Sequence, residues 1–217
     1  MKIRLMLLLL AAFAQPALAE QPVDAGEALV EGFLTNVMTM QGRFSQTLVD
    51  AKGTVVEVSE GDLIIERPNR FRWTYSEPYE QWLVADGRNI WSYDVDLAQV
   101  TVKPQAQALS NTPALLLGGA SDALEQFRFD GSLVADETTW VRMRPVDESS
   151  GFDRVELGFI DDQLNRMVFF DNLEQTTDVA FFDVRINEPV ESALFDFVVP
   201  DDADLVGVPL AVDGTPP

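Results

Sequence analysis

The sequence predicts a mainly β protein of the α+β class, organised around one long antiparallel sheet of ten or so strands. Three observations support this prediction. Polar and apolar residues alternate through many short segments, turn-forming pairs such as Asp86-Gly87 separate the segments, and helical spacing is confined to the N-terminus and residues 103–126. Hydrophobic residues make up 47% of the chain, enough for a sizeable core, and the sequence shows no interdomain linker. We therefore expect one domain.

The first nineteen residues have the pattern of a Sec-type signal peptide. Lys2 and Arg4 precede an apolar run from Leu5 to Ala14, and Ala17-Leu18-Ala19 supplies a small-x-small cleavage site. The apolar run is too short to span a bilayer as a helix. We expect a signal peptide over residues 1–19, and a single exported domain over residues 20–217.

The mature chain begins with helical spacing and then changes to strand spacing. From Pro22 to Met40, apolar residues recur three and four positions apart, which predicts an amphipathic helix. After Gly42 the period becomes two. The clearest alternation is in residues 70–76, where Phe71, Trp73 and Tyr75 share one face. Strands are predicted over residues 43–48, 54–66, 70–76, 81–85, 89–93 and 96–102.

Residues 103–126 interrupt the strands. Asn111-Thr112-Pro113 predicts a helix start, with Thr112 as N-cap and Pro113 at the first helical position. Apolar residues 114–117 follow, and Gly118-Gly119 ends the turn. Strands resume over residues 127–134, 138–144, 154–160, 167–170 and 176–186. The tail after about residue 200 is rich in Asp, Gly and Pro, so we expect it to be loosely held.

An antiparallel sheet with this alternation must cover its apolar face. The N-terminal helix and the helix of residues 112–117 are the candidates to do so. Two short helices are little material for the concavity of a strongly curved sheet. An under-filled apolar cavity is therefore expected.

Charge and composition exclude several classes of function. The whole chain carries a net charge of −21, and the mature part is near −23 because Lys2 and Arg4 leave with the signal peptide. Such a charge repels phosphate backbones and anionic headgroups, so we expect neither nucleic-acid binding nor stable membrane insertion. Cys and His are both absent. Ser-His-Asp and Cys-His catalysis, disulfides and ordinary zinc sites are thereby excluded, and we expect no catalytic residue, metal or cofactor.

The candidate site residues each have two interpretations. The pairs Asp161-Asp162 and Asp201-Asp202 could do acid/base chemistry, but their turn contexts favour solvated turn residues. The Phe and Trp side chains could form an ordinary core or line a lipid-sized pocket. Arg67, which precedes Pro68 at a strand end, could be an exposed strand-end residue or a functional one.

The motifs around Arg67 make the chain resemble the LolA family of lipoprotein carriers. A Gly-x-Leu strand at Gly61-Asp62-Leu63 leads into Arg67-Pro68-Asn69-Arg70-Phe71-Arg72-Trp73, and Leu83 to Gly87 and Ile90 to Asp94 continue the match. Phe44-Ser45-Gln46 and the helix start at Asn111 also match. The resemblance runs from the N-terminal helix to about Pro200.

This resemblance implies an incomplete antiparallel β-barrel with a helical lid over an apolar cavity. It implies a periplasmic monomer that takes triacylated lipoproteins from an ATP-driven inner-membrane release complex to an outer-membrane lipoprotein receptor. By the same match, Arg67 is the latch that holds the lid closed. The lid helix would contain Thr112, Pro113, Leu115, Leu116 and Leu117. The acyl-chain cavity would be lined by Leu34, Val37, Met40, Phe44, Phe71, Trp73, Tyr75, Leu83 and Trp91.

Three other functions remain open from the sequence. The outer-membrane receptor shares the fold but is itself lipidated on a Cys, which this chain lacks. A periplasmic lipid- or lipoprotein-binding sensor is a second alternative, although such sensors usually add another domain. A small exported hydrolase that uses carboxylates is the third, and no spaced catalytic motif supports it.

Overall fold

The fold comes from a computed structural model that describes residues 24–105, 117, 124–147 and 150–210. The predicted signal peptide lies outside the described residues, and so do the predicted lid residues Thr112, Pro113, Leu115 and Leu116. None of the helices within the described ranges has both the length and the apolar character needed to cross a membrane.

One α-helix precedes a sheet of twelve strands in the described part of the chain. The helix is α1 (Ala25–Asn36). The strands are β1 (Thr39–Val49), β2 (Val55–Glu66), β3 (Arg70–Glu77), β4 (Gln81–Asp86), β5 (Asn89–Asp94), β6 (Gln99–Pro104), β7 (Phe127–Ala135), β8 (Thr138–Pro145), β9 (Phe152–Ile160), β10 (Gln163–Asp171), β11 (Thr176–Ile186) and β12 (Asp204–Val206). Short 3₁₀ helices occur at Leu124–Gln126 and Ser192–Phe195.

The strand order is β12-β6-β5-β4-β3-β2-β1-β11-β10-β9-β8-β7, which leaves β12 and β7 at the edges. Neighbours from β6 to β7 in this order are antiparallel. The prediction of a mainly β protein with one long antiparallel sheet is confirmed. The sheet is open and curls round α1, since Phe33 of the helix meets both Phe159 on β9 and Arg67 at the end of β2.

The predicted helix of residues 22–40 is shorter in the structure. Asp24 caps its N-terminus by accepting a hydrogen bond from the Gly26 backbone N–H at 2.8 Å. The helix ends at Asn36, and Met40 already lies in β1, paired with both β2 and β11. The assignment of Met40 to the helix is therefore wrong. An apolar residue at this position suits the end of a helix stripe and an inward strand position equally, and the pairing with two neighbouring strands decides in favour of the strand.

The face of the sheet that α1 contacts is called the inner face here, and the opposite one the outer face. Val30 and Phe33 of α1 are buried in a single cluster with side chains from both halves of the sheet, including Phe44 of β1 and Leu157 of β9. The start of α1 is fixed to β7, because Asp24 Oδ1 also accepts a hydrogen bond from Ser132 Oγ at 2.7 Å. The inner face thus holds the main core.

A second, smaller core lies on the outer face of β4, β5 and β6. Trp91 stacks there on Phe197 with a centroid distance of 5.2 Å, and Tyr93, Val100 and Val102 are buried with it. The prediction that Trp91 lines the inner cavity is wrong. Successive strand residues face opposite sides, so Ile90 enters the inner cluster and Trp91 faces outward.

The segment after Pro200 differs from the loosely held tail that the composition suggests. Asp204–Val206 pairs in parallel with residues 99–101 of β6. Asn89, which is 2% exposed, then holds Leu210 through both of its amide atoms, with Nδ2 donating to the Leu210 carbonyl at 3.2 Å and Oδ1 accepting from its N–H at 2.8 Å. Backbone pairing as far as Val206 and the Asn89 amide at Leu210 therefore hold this segment despite its polar composition, and residues 211–217 lie outside the described range.

Candidate functional site

The candidate site is built round Arg67, which lies in the turn between β2 and β3. Its backbone N–H donates to the Met38 carbonyl at 2.8 Å, which fixes the turn beside the end of α1. Its side chain then reaches under the helix. Nη1 donates to the backbone carbonyls of Phe33 at 2.8 Å, Leu34 at 3.3 Å and Val37 at 2.6 Å. Arg67 thus closes the C-terminal end of α1.

Arg67 also ties α1 to the segment that the sequence predicts as the lid. Nε and Nη2 donate to the Leu117 carbonyl at 3.2 and 3.1 Å. The Leu117 side chain is buried in the inner cluster. One guanidinium therefore joins two chain segments that are far apart in sequence. The latch is predicted to hold the helical lid closed, and the structure brings Arg67 together with α1 and with the described lid residue Leu117.

The chemistry of a helix end explains why an arginine suits this position. The last carbonyls of a helix lack intrahelical partners and carry the negative end of the helix dipole. The last turn of α1 contains no basic residue of its own. Arg67 supplies the missing positive charge and the donors from outside the helix. Its guanidinium also lies over the Phe33 ring, 4.6 Å from the centroid.

Arg67 carries its charge in a buried position. The residue is 9% exposed, and burial lowers the pKa of its guanidinium to about 10, so that it stays charged at neutral pH. Within the described ranges, no carboxylate forms an ion pair with it. A buried charge that carbonyl dipoles stabilise without an ion pair gains hydration when it is exposed. The closed arrangement is therefore held by directional hydrogen bonds and opposed by desolvation.

Below Arg67, the inner face is aromatic and closely packed. The rings of Phe44 and Trp73 are 4.4 Å apart, Phe44 meets Tyr75 edge-on at 5.2 Å, and Trp73 meets Phe181 at 6.3 Å. The predicted cavity residues other than Trp91 converge in this cluster. Val37, Met40, Phe44, Phe71 and Trp73 are buried in it, and Leu34, Tyr75 and Leu83 pack against it.

The far half of the sheet supplies inner-face residues that the sequence interpretation missed. They come from β8 to β11 and include Val141, Met143, Val155, Leu157, Phe159, Met167, Phe169, Val179 and Phe181. Their alternation along each strand is the same signal as in residues 70–76. The alternation along β8 to β11 is the sequence signal that identifies these positions.

A small cavity remains between α1 and the edge of the sheet. It measures about 190 Å³ and is lined by Glu27, Val30, Glu31, Phe127, Phe129 and Met143. Sites that enclose a drug-sized ligand usually measure roughly 300–1,000 Å³. The gap is therefore too small for several hydrocarbon chains, and a larger ligand could enter only if α1 moved away from β7 and β8.

Polar side chains are few on the inner face. Trp73 Nε1 is buried and has no hydrogen-bond partner among the described residues. The Tyr75 hydroxyl donates to Gln46 Oε1 at 3.3 Å, and burial raises the pKa of Tyr75 to about 12. The carboxylates considered from the sequence, Asp161 and Asp162, are exposed in a turn. In the part of the chain that the structure describes, no cluster of three metal-ligating side chains occurs.

Comparison with known proteins gives a consistent result. The family model described as "Outer membrane lipoprotein carrier protein LolA" matches residues 35–198. An outer-membrane lipoprotein carrier protein of Methylobacillus flagellatus is 39% identical over 184 residues, which cover 85% of this chain and 89% of that protein. The protein of the same description from Nitrosomonas europaea is 38% identical over 175 residues, which cover 80% of this chain and 85% of that protein.

A solved structure agrees at the level of the fold. The crystal structure of an uncharacterized conserved protein from Thermus thermophilus superposes with a TM-score of 0.53. The superposition covers 86% of this chain and 99% of that chain, at 17% sequence identity. The open curled sheet is thus shared with a protein of very different sequence.

Proposed function

The chain belongs to the LolA family of outer-membrane lipoprotein carrier proteins, and from this premise we propose that its inner face shelters the acyl chains of triacylated lipoproteins, with Arg67 as the latch. Carrying lipoproteins is the function of the family. The observation that supports the proposed site best is the set of hydrogen bonds from Arg67 to Phe33, Leu34, Val37 and Leu117. They hold the cover over an aromatic face.

Loading requires the cover to open. The gap under α1 is about 190 Å³, and the inner cluster beneath it is buried. Acyl chains would therefore displace α1 and the segment of Leu117 from the sheet and break the Arg67 hydrogen bonds. In their place the chains would contact Phe44, Phe71 and Trp73.

The energetics of this exchange suit a carrier that must also release its cargo. Burying each methylene group contributes about 0.8 kcal/mol, so even partial burial of three chains is strongly favourable. Reclosure of the latch restores the hydrogen bonds to the α1 carbonyls, each of which contributes about 1.5–3 kcal/mol because the donor is charged. That gain offsets part of the binding free energy of the cargo. Transfer to an acceptor then needs no ATP at the carrier.

The partners follow from the same role. We propose that the mature protein works in the periplasm after removal of residues 1–19, accepts its cargo from an ATP-driven inner-membrane release complex, and delivers it to an outer-membrane lipoprotein receptor. The strongly negative charge of the mature chain suits docking on basic partner surfaces and disfavours adsorption to anionic membranes.

A release assay tests the carrier role and the site together. Inner-membrane vesicles that contain labelled lipoprotein are incubated with ATP and the purified mature protein, and the supernatant is analysed for a soluble complex. A photo-crosslinking amino acid that replaces Phe71 locates the cargo, and one that replaces Tyr93 is the matched control. Both side chains are buried, but Phe71 lies in the inner cluster and Tyr93 in the outer one.

A one-to-one soluble complex that cross-links from position 71 and not from position 93 is the expected result. Cross-linking from position 93 would place the cargo on the wrong face. If no lipoprotein were released while a free fatty acid or phospholipid still bound, the sensor alternative on the same fold would replace the carrier.

A further inference from the structure

The indole N–H of Trp73 is an unusual feature of the inner face. Trp73 is 1% exposed, and its Nε1 has no hydrogen-bond partner within the described structure. Buried indole N–H groups normally have an acceptor, since water is not available to replace one. An indole nitrogen can only donate. The unmet need is therefore for an acceptor atom in an apolar interior.

Other polar groups continue from Trp73 toward the rim. Tyr75 lies two residues further on the same strand face, and its hydroxyl donates to Gln46 Oε1 at 3.3 Å. Both rings contact Phe44, with centroid distances of 4.4 Å for Trp73 and 5.2 Å for Tyr75, so the two side chains lie close together. Gln46 is directly opposite Ser59, which is 3% exposed and donates from Oγ to Glu57 Oε1 at 2.8 Å. Glu57 itself is exposed. These five side chains are called the polar track.

We propose that the polar track recognises the ester carbonyl groups of the acylated cargo, with Trp73 Nε1 as the donor to a carbonyl oxygen and the Tyr75 hydroxyl as a second donor once it turns away from Gln46 Oε1. The proposal rests on the proposed function, because it needs acyl chains on the inner face. Hydrocarbon tails contain no acceptor and cannot form a hydrogen bond with these donors. The linkage that joins them to glycerol carries carbonyl oxygens that can only accept, and a carbonyl that enters the interior must find a donor there.

The position of the track fixes how deeply the cargo enters. The apolar side chains Phe44, Phe71 and Leu63 surround Trp73 and offer only hydrocarbon contacts. A carbonyl held at Trp73 or Tyr75 would send its chain into this region and leave the glycerol toward Ser59 and the rim. The polar track would thus recognise the boundary between the hydrocarbon tail and its ester linkage to glycerol.

Charge at the rim adds a preference among lipids. The Glu57 carboxylate is the exposed member of the track, on a strongly acidic protein. A free fatty acid would bring its own carboxylate next to Glu57, which is unfavourable. A neutral ester meets the same donors without that repulsion. The track therefore favours esterified chains over free ones.

The first test changes the ligand and leaves the protein intact. Binding of dioctanoylglycerol to the mature protein is compared by calorimetry with binding of its ether analogue dioctylglycerol, which has equal chains and no carbonyl. A net gain of one neutral hydrogen bond predicts a preference of about two- to tenfold for the ester. Equal affinities would overturn the proposal.

The second test changes the protein. Trp73→Phe and Tyr75→Phe each remove a donor and keep a ring, and both should reduce the ester preference. Phe71→Leu, which removes contact area from the same face and no donor, should weaken both probes and keep their ratio. An unchanged ratio in both donor variants would contradict the assignment. If Trp73→Phe did not fold, Tyr75→Phe and the ether probe would still decide.

A spectroscopic readout separates recognition from mere packing. The infrared stretch of a ¹³C-labelled ester carbonyl should move to lower frequency on binding to the wild type and return toward its unbonded position in Trp73→Phe. If neither glycerolipid bound while lipoprotein was still released from vesicles, the track assignment would be wrong and the carrier function would stand. If lipoprotein release also failed, both the track assignment and the carrier function would be wrong.

Discussion

The Nη1 atom of Arg67 lies 2.6 Å from the backbone carbonyl oxygen of Val37, the residue that caps the C-terminus of α1. This contact joins the turn after β2 to the end of the helix that covers the inner face. Because the acceptor is a backbone atom, the strength of this hydrogen bond does not depend on which side chain residue 37 carries. It depends on whether α1 is in place, which makes the contact responsive to the position of the cover.

Replacement of the latch should separate binding from release. In Arg67→Leu the closed form loses its charged hydrogen bonds to α1 and Leu117, and its apolar side chain favours the acyl-loaded form. We expect lipoprotein to be taken up, and its transfer to the receptor to slow by at least about tenfold. The measurement is the rate at which labelled cargo leaves the purified complex for receptor-containing membranes.

Arg43→Leu is the matched control for this change. Arg43 lies on β1, its side chain is 62% exposed, and its nearest carboxylate is 4.0 Å away on Asp183. The same substitution there should leave the transfer rate close to that of the wild type. Equal transfer rates for Arg67→Leu and Arg43→Leu would refute the latch.

Two glycines of α1 should respond in opposite directions to alanine. A Cβ on Gly26 would lie 2.5 Å from Ser132 Cβ, so Gly26→Ala should push the helix from β7 and reduce the free energy of unfolding by roughly 1–3 kcal/mol. A Cβ on Gly32 has only Asn36 Nδ2 within reach, at 3.8 Å. Gly32→Ala should therefore stabilise the helix by up to about 1 kcal/mol. Urea denaturation of both variants measures the difference, and unchanged stability in Gly26→Ala would show that α1 does not depend on close contact at Gly26.

The sequence predicts those parts of this site that depend on the two-residue repeat of a strand. The alternation of Phe71, Trp73 and Tyr75 placed them correctly on one face, because the strand repeat leaves no choice once one of them is inside. The same rule contradicts the prediction, made from the family motif, that Trp91 lines the cavity, because Ile90 occupies the inward position. Period could not place Met40, which suits a helix and a strand alike.

Contacts to backbone atoms leave no periodic pattern in the sequence. The acceptors of Arg67 are carbonyl oxygens, which every residue has, so no residue pattern identifies them, and only the family resemblance predicts the role of Arg67. The pairing of Asp204–Val206 with β6 was missed for the same reason. Its side chains are polar or exposed, and the pairing is made by main-chain atoms.

The anchor of the C-terminal segment is open to direct measurement. In Asn89→Ala the buried amide that holds Leu210 is lost, and the Leu210 N–H and carbonyl lose their partner. We expect the free energy of unfolding to fall by about 1–3 kcal/mol, and residues 204–210 to become more accessible to protease. Asn172→Ala, at an exposed turn position, serves as the control and should change neither quantity appreciably. Unaltered protease protection in Asn89→Ala would mean that the β12 pairing holds the segment without this amide.

Acid stability should depend on Asp86, at the turn between β4 and β5. Burial acts to raise the pKa of this carboxyl, but hydrogen bonds from the Asn89 and Arg88 backbones and from Trp91 Nε1 outweigh it, and the pKa lies below its usual value. Between the folded and unfolded pKa values the unfolded chain binds more protons, so stability rises with pH there. The contribution is complete above about pH 4, the unfolded value, and is lost as the pH falls through the folded one. Asp86→Asn should therefore show a smaller loss of stability between neutral and acid pH than the wild type, in urea titrations repeated across that range. Asp201→Asn, in an exposed turn, is the control and should show the wild-type dependence of stability on pH. The same wild-type dependence in Asp86→Asn would show that other carboxylates govern the acid transition.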